Sequence, residues 1–157
     1  MKIFIDTEFT DLVDMDLISI GLVTEAGQEF YAERDDFDVG LCNDFVRSQV
    51  LPLLRAPGAS VYSKPGLRRV VDVWLSQFQH AAPVICYDNT ADWAMLVDLY
   101  GNNIPAWLKL SSVRDYMDFA KRAAFFVETG LIQHHALNDA HANRCAMMLD
   151  PFHRLYR

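Results

Sequence analysis

Residues 4–10 read FIDTEFT, and this short stretch decides the kind of fold that the chain is expected to form. An apolar run typical of a buried strand carries Asp6 and Glu8, two residues apart. Because a strand places residues i and i+2 on the same face, both carboxylates should project together from the end of the strand. Two like charges that close repel each other, so the pattern indicates that a cation holds them.

Around this stretch, the sequence predicts a sheet that opens as a β-meander. Apolar and β-branched runs predict strands at 2–6, 17–25 and 28–33, with the EAGQ sequence of residues 25–28 as the hairpin turn between the last two. A short β-branched run at 83–87 predicts a further strand that leads directly into a helix.

Helices are predicted after the meander by apolar residues at helical spacing, over 43–54 and 66–79. The helix that follows the last predicted strand is expected to be capped by Asn89 or Thr90 and to end at Gly101. A β-meander followed by strand and helix units predicts an α/β fold with a mixed sheet.

The remainder of the chain is predicted to be helical over 114–126 and again from about Ala136. With 157 residues and 52% hydrophobic content, the chain is long and apolar enough for a single packed core. No repeat, low-complexity tract or linker is visible, so we expect one domain spanning 1–157.

The charge balance limits the partners that the chain can have. The formal net charge is −7, so tight, sequence-independent binding to a nucleic-acid duplex is disfavoured. A nucleic-acid partner would have to be met by a local basic patch or through metal ions.

The cysteines and the start of the chain bear on its location. Cys42, Cys86 and Cys145 form no CxxC pair and are predicted to be buried free thiols. The opening apolar stretch is interrupted at Asp6, and no run of about 18 apolar residues follows. We therefore expect a cytoplasmic protein without a membrane partner.

Further acids and a histidine are placed to join the opening pair. Asp92 lies in the first turn of the helix after a strand, where open α/β sheets bind their ligands. Asp139 lies one turn into the last helix, and His134 precedes it by five residues. Four carboxylates and one histidine are therefore expected to converge.

Such a set suits hydrolysis assisted by metal ions. Carboxylates hold hard divalent cations such as Mg²⁺, and a two-metal site needs one carboxylate that bridges both ions. Asp6 is the candidate bridge, with Glu8, Asp92 and Asp139 completing the coordination. His134 is the candidate general base that deprotonates the attacking water.

Three motifs carry a resemblance to a known family. DTE at 6–8, YDNTADWAML at 87–96 and HHALND at 134–139 resemble, in order and spacing, the motifs of the DEDDh 3′-to-5′ exonucleases of the ribonuclease H-like superfamily. The resemblance reaches from residue 2 to about residue 148. It implies a ribonuclease H-like sheet flanked by helices.

Within that family, DTEF followed by LISIGLV is most similar to small bacterial exoribonucleases related to ribonuclease T and oligoribonuclease. The second motif departs from the commoner form, which has Asn four residues before the acid and Phe directly before it. Here those positions hold Asp88 and Ala91, so Asp88 competes with Asp92 for the role of metal ligand.

Several assignments have structural alternatives. Asp92 and Asp139 are also first-turn acids that a helix dipole favours, and His135 can titrate as readily as His134. Thr7, Phe9 and Trp93 are the candidate substrate-binding residues, and the aromatic rings of Phe9 and Trp93 are expected to stack on unpaired bases. Trp93 suits core packing at least as well.

One basic cluster remains to be placed. Lys64, Arg68 and Arg69 either contact substrate phosphates or form a solvated helix face.

The resemblance and the residues together predict an enzyme, a metal-dependent 3′-to-5′ exoribonuclease that uses two Mg²⁺ ions, with Mn²⁺ able to substitute. Its expected substrate is a single-stranded or short RNA 3′ end, and its expected product is a nucleoside 5′-monophosphate. A homodimer is left open.

Three alternatives to this activity stay open. One is a 3′-to-5′ exodeoxyribonuclease of the same fold. Another is an aspartyl-phosphate phosphatase, because DTEFT is faintly similar to DxDxT. The third is an inactive nucleotide-binding module.

Overall fold

The predicted meander forms one half of the sheet in the computed structural model, which describes residues 1–147. β1 (Lys2–Phe9), β2 (Leu17–Thr24) and β3 (Glu29–Arg34) pair antiparallel in succession. Gly27 adopts a φ of +90° in the turn between β2 and β3, a backbone conformation that glycine adopts without strain. The predicted meander is confirmed.

Over residues 1–147 the sheet has six strands, in the order β4-β3-β2-β1-β5-β6. The three later strands are β4 (Val61–Tyr62), β5 (Val84–Tyr87) and β6 (Lys109–Ser112). β5 pairs parallel with β1, β6 pairs parallel with β5, and β4 pairs parallel with β3. This mixed sheet with helices is the expected α/β fold, and it is consistent with a ribonuclease H-like arrangement.

Four α-helices accompany the sheet among the described residues. They are α1 (Lys64–Ser76), α2 (Thr90–Leu99), α3 (Phe119–Thr129) and α4 (Ala136–Ala146). α2 and α4 begin as predicted. α3 begins later than expected, because the Asp118 side chain accepts hydrogen bonds from the amides of Ala120 and Lys121 and caps the helix there.

The segment 43–54 is not the regular α-helix that its spacing predicted. It contains a π-helical turn, Val46–Val50, followed directly by a 3-10 turn, Leu51–Leu53. Pro52 has no amide hydrogen to continue an α-helical ladder. Val46 and Val50 are nevertheless buried against Ile18 of β2, so the apolar spacing correctly identified the face that packs inward.

The main core lies on the face of the sheet that α1 and α2 cover. Ile3 and Ile5 of β1 pack there with buried side chains of both helices, among them Leu67, Val71 and Leu96. Because side chains alternate along a strand, Asp6 and Glu8 point to the opposite face, which α4 covers. The sheet therefore separates the apolar core from the acidic pair.

The cysteines are partly as predicted. Cys42 and Cys86 are buried free thiols, but Cys145 is exposed, because it lies on the outer side of α4. In the stretch 1–147, no helix is both long enough and apolar enough to cross a membrane.

Candidate active site

The first carboxylates come from β1, which continues three residues beyond its predicted end. Asp6 and Glu8 lie near the carboxyl end of this strand and are both half-buried. With Asp139 they form a group in which one carboxylate oxygen from each residue lies within 4.8 Å of the others. The predicted convergence of these three acids is therefore present in the structure.

A glycine allows α4 to approach the strands so closely. Gly21 of β2 is paired in register with Asp6, and a Cβ atom at Gly21 would overlap the backbone of Ala136 and Leu137. The first turn of α4 therefore lies directly on β2 beside Asp6. This contact brings Asp139, in that first turn, to the acidic pair.

Asp139 is buried and held by three groups. It accepts hydrogen bonds from the backbone amides of His134, at 2.7 Å, and His135, at 3.2 Å. The Arg122 guanidinium on α3 forms an ion pair with its Oδ1 atom. Burial raises the pKa of Asp139, while the Arg122 charge and the amide hydrogen bonds act in the opposite direction.

Asp92 reaches the site from the other side of β1. α2 begins where the Asn89 side chain accepts a hydrogen bond from the Ala91 amide, which places Asp92 in the first turn. Asp92 Oδ1 accepts hydrogen bonds from the Thr7 amide at 2.9 Å and the Thr7 hydroxyl at 2.8 Å. Its Oδ2 is buried and has no hydrogen-bond partner within residues 1–147.

A second carboxylate group includes the competitor that the sequence indicated. Asp6, Asp88 and Asp92 each offer an oxygen within 4.8 Å of the others. Asp88 directly follows β5, and Asp6 belongs to both carboxylate groups. The structure thus brings Asp88 and Asp92 together instead of choosing between them.

The crowding of acids is visible in their electrostatics. Burial, followed by the charges of Asp92, Asp139, Glu8 and Asp88, raises the pKa of Asp6 well above its usual value. The pKa of Glu8 rises to about 8 through burial and the charges of Asp139 and Asp92. Burial and the Asp88 charge raise the pKa of Asp92 to about 7. Without a cation, the site therefore resists full ionisation.

The two adjacent histidines occupy different environments. His134 has a φ of +65°, lines the acidic cavity, and its ring lies edge-on to Phe45 with centroids 4.9 Å apart. His135 stacks on Tyr31 at 4.3 Å, and burial lowers the pKa of His135. Of the pair, the structure places His134 beside the carboxylates.

All five predicted catalytic residues line one cavity of about 190 Å³. Its full lining consists of Asp6, Thr7, Glu8, Phe9, Asp88, Asn89, Asp92, Arg122, His134 and Asp139. Arg122 was not anticipated, because a basic residue on a helix ordinarily faces water and nothing in its spacing indicates an inward contact. The acidic cavity is therefore mainly, but not wholly, negative.

A second cavity, of about 300 Å³, adjoins the acidic one. The two cavities share Glu8 and Phe9. The rest of its wall includes Leu12, which is 74% exposed, and Phe45, which is 51% exposed. An apolar surface of this kind beside the carboxylates can accept a flat ring.

Of the residues considered for substrate binding, Phe9 lies at the acidic cavity, whereas Trp93 and the basic cluster lie elsewhere. Trp93 packs against the main core, whereas Phe9 lines both cavities. Lys64, Arg68 and Arg69 line a separate cavity of about 640 Å³ that shares no residue with the acidic one, and Lys64 is paired with Asp98 at 2.7 Å. The basic cluster is therefore not part of the acidic site.

The donor set fits a hard divalent cation. All of the grouped atoms are carboxylate oxygens, the ligand type that Mg²⁺ and Mn²⁺ accept. The buried Oδ2 of Asp92, which no donor of the described chain satisfies, is an oxygen that a cation would satisfy.

Comparison with known proteins shows a partial similarity to two relatives. Over 63 residues the chain is 43% identical to two proteins of Mycobacterium tuberculosis, from strains CDC 1551 / Oshkosh and ATCC 25618 / H37Rv, each named a 3′-5′ exoribonuclease. The aligned stretch covers 40% of this chain and 38% of each relative. No protein-family model matches the chain.

Proposed function

We propose that this chain is a metal-dependent 3′-to-5′ exoribonuclease of the DEDDh type, which removes nucleoside 5′-monophosphates from single-stranded or short RNA 3′ ends. The observation that carries the proposal is the double membership of Asp6 in two carboxylate groups, at a cavity that His134 also lines. The similarity to two proteins named 3′-5′ exoribonucleases gives independent support.

Two Mg²⁺ ions, or Mn²⁺ in their place, would be held by the carboxylates. Asp6, Glu8 and Asp139 would hold one ion, and Asp6 with Asp92 would hold the other. Bound divalent cations neutralise the crowded acids and stabilise charge on the attacking and leaving oxygens of a phosphodiester. Asp6 would bridge the two positions, because among the described residues it alone belongs to both groups.

His134 acts as the general base in this proposal. Its backbone amide donates a hydrogen bond to Asp139, and its ring makes a T-shaped contact with the ring of Phe45, so the imidazole is held at the cavity. From there it accepts a proton from the water that attacks the terminal phosphodiester. Thr7 positions Asp92 through two hydrogen bonds.

The adjoining apolar cavity suits the last base of a single strand. Phe9 lies on the boundary of both cavities, so it can stack on a base whose phosphate lies among the carboxylates. Trp93 is occupied in the core, and we assign it no contact with substrate. Within residues 1–147, Arg122 is the one lysine or arginine on the acidic cavity's wall, so we expect weak binding to the phosphate backbone and a preference for short substrates.

A DNA exonuclease of the same type is the alternative within this reaction class, because discrimination rests on a contact to the 2′-hydroxyl. An aspartyl-phosphate phosphatase would need neither a shared acid in two groups nor His134 in the cavity. An inactive module is disfavoured by the arrangement of all five predicted catalytic residues at one cavity.

A single domain over 1–157, a cytoplasmic location and a homodimer stay predictions. Residues 148–157 of that domain lie outside the described structure.

Product analysis on matched 5′-end-labelled RNA and DNA oligomers tests the function. With Mg²⁺, we expect a ladder of RNA shortened from the 3′ end and release of nucleoside 5′-monophosphates. With excess chelator, the ladder should vanish. Internal cleavage, 3′-monophosphate products or full activity in chelator would contradict the proposal, and equal or faster loss of DNA would favour the DNA alternative.

A further inference from the structure

Asp88 is a fifth acid at the site, and it lines the acidic cavity together with the four predicted metal ligands. It follows the last residue of β5, and its carboxylate joins Asp6 and Asp92 within 4.8 Å. An acid placed there costs free energy in the metal-free protein unless something positive compensates for it.

An independent observation points to a cation at the same place. Asp92 is 2% exposed, and both donors of Thr7 are directed at its Oδ1. Its Oδ2 is buried, and none of residues 1–147 donates a hydrogen bond to it. Asp92 thus belongs to a group of three acids and carries a buried carboxylate oxygen without a donor, and a bound cation stabilises such an oxygen.

The Asp88 carboxylate is also held in a fixed orientation. Asn143 of α4, which is buried, donates from Nδ2 to Asp88 Oδ1 at 2.8 Å. Asn143 Oδ1 accepts a hydrogen bond from Arg122 Nε at 2.8 Å. Because a guanidinium can only donate, the amide oxygen must face Arg122 and the amide nitrogen must face Asp88.

One guanidinium thus links the two carboxylate groups. Arg122 pairs with Asp139 directly, and it reaches Asp88 through Asn143. Asp139 and Asp88 are therefore connected by one series of hydrogen bonds that runs through Arg122 and Asn143.

We propose that Asp88 is a fifth metal-ligating carboxylate, which binds one divalent cation together with Asp6 and Asp92, and that Asn143 and Arg122 position it. This inference rests on the metal centre of the proposed function and extends its ligand set by one residue.

The fifth acid has a functional consequence. Mg²⁺ is usually held by one or two carboxylates together with substrate phosphates, so many such ions bind firmly only with substrate. Three carboxylates at one position supply more of the ligands from the protein itself. The position shared by Asp6, Asp88 and Asp92 should therefore bind its cation before RNA arrives.

Titration of the metal-free full chain with Mn²⁺, in the absence of RNA, tests this inference. Calorimetry gives affinity and stoichiometry, and electron paramagnetic resonance reports free Mn²⁺. We expect Asp88→Asn to weaken one Mn²⁺ position at least tenfold and to leave the other closer to wild type. Asn143→Ala, which changes no charge, should weaken the same position by about 10- to 100-fold, as loss of an orienting partner does.

The matched control is Asp115→Asn, which removes the same charge from an exposed residue outside the acidic cavity. If Asp88→Asn binds Mn²⁺ as Asp115→Asn does, Asp88 is not a ligand. If Asp88→Asn weakens binding but Asn143→Ala does not, Asp88 acts through charge alone and the positioned-ligand assignment is wrong. Thermal unfolding in chelator shows whether each variant is folded.

The titration also separates this inference from the proposed function. If the wild-type chain binds no Mn²⁺, the metal centre itself is wrong, and both proposals fail. If the wild-type chain binds Mn²⁺ and degrades RNA but Asp88→Asn is unchanged, the fifth ligand alone is refuted.

Discussion

Asp6 is the residue at which the two carboxylate groups meet, and its loss should have opposite effects on activity and stability. We expect Asp6→Asn to abolish measurable turnover, because both cation positions lose a ligand. In chelator the same variant should melt at a higher temperature than wild type, because repulsion among the acids is relieved. The rise should be roughly 2–4 °C for each kcal/mol of repulsion removed.

Paired measurements of RNA hydrolysis and thermal unfolding check the Asp6 prediction. Asp115→Asn again serves as the control for loss of a remote charge. A variant that turns over at a near-normal rate would remove Asp6 as the bridge, and a lower melting temperature in chelator would show that the acids do not repel as described.

His134 should be needed for proton transfer but not for metal binding. We expect His134→Ala to lower kcat by about 10²- to 10⁴-fold while Mn²⁺ affinity is retained, because the carboxylates remain. Activity of the wild type should fall as the solution becomes acidic, since only the neutral imidazole accepts a proton. At saturating Mn²⁺, where metal binding does not limit the rate, that acidic limb should disappear in His134→Ala.

The adjacent histidine is the matched comparison. His135 stacks on Tyr31 and does not line the acidic cavity, so His135→Ala should reduce kcat far less than His134→Ala. If the two variants lose activity equally, or if the acidic limb survives in His134→Ala, His134 has a structural role only.

The absence of a side chain at Gly21 allows helix α4 to lie close to β2 and to the acidic site. We expect Gly21→Ala to lower the free energy of unfolding by about 1–3 kcal/mol, because an added methyl group forces α4 away from β2. The same displacement moves Asp139 from Asp6 and Glu8, so Mn²⁺ affinity should fall as well. Thermal unfolding and Mn²⁺ titration measure the two effects.

Gly66→Ala in α1 is the control for Gly21→Ala. There an added Cβ would lie 3.3 Å from the Tyr62 Cβ atom, a side-chain neighbour at a distance from the carboxylates. This variant should leave Mn²⁺ affinity unchanged. Unaltered Mn²⁺ affinity in Gly21→Ala would mean that the close approach does not position Asp139.

The elements with strong local signals were predictable from the sequence. The meander follows from β-branched runs around a glycine turn, and α2 follows from its Asn89 cap. β6 was not predicted, because its four residues are largely exposed and carry no alternation of apolar and polar side chains. The π-helical turn at Val46–Val50 was missed because its apolar spacing is close to that of an α-helix.

The sequence predicted which acidic residues form the site better than it predicted the contacts between them. Acids at strand and helix ends can be found from the sequence, because the end of an element is a local property. The ion pair of Arg122 with Asp139 cannot, since it depends on how α3 packs beside α4. Neither can the placement of Cys145 on the outer side of α4.

For the molecule as a whole, the raised pKa values predict how stability depends on pH without metal. The pKa of Glu8 is about 8 in the folded protein against an ordinary value of 4.5, and that of Asp92 is about 7. The folded protein therefore retains protons that the unfolded chain releases. Below about pH 4, Glu8 and Asp92 are protonated in both states and do not lower the free energy of unfolding. As the pH rises from 4 toward 8, the unfolded chain releases these protons first, so the free energy of unfolding falls.

Melting temperatures from pH 5 to pH 8 in chelator measure this loss. We expect a decline with rising pH, and Mg²⁺ or Mn²⁺ should raise the melting temperature more at pH 8 than at pH 5, because ionised carboxylates bind the ion. A melting temperature that climbs over this range in chelator would contradict the assigned pKa directions.

The close contact between Gly21 and Ala136 also sets an order of events during folding. Asp6 and Glu8 belong to a local meander, which can form early, but Asp139 joins them only when α4 docks on β2. A folding intermediate with the meander formed and α4 undocked therefore has the acidic pair without its third carboxylate. In refolding experiments, the capacity to bind metal at the position of Asp6, Glu8 and Asp139 should return later than the β-sheet signal, when α4 docks.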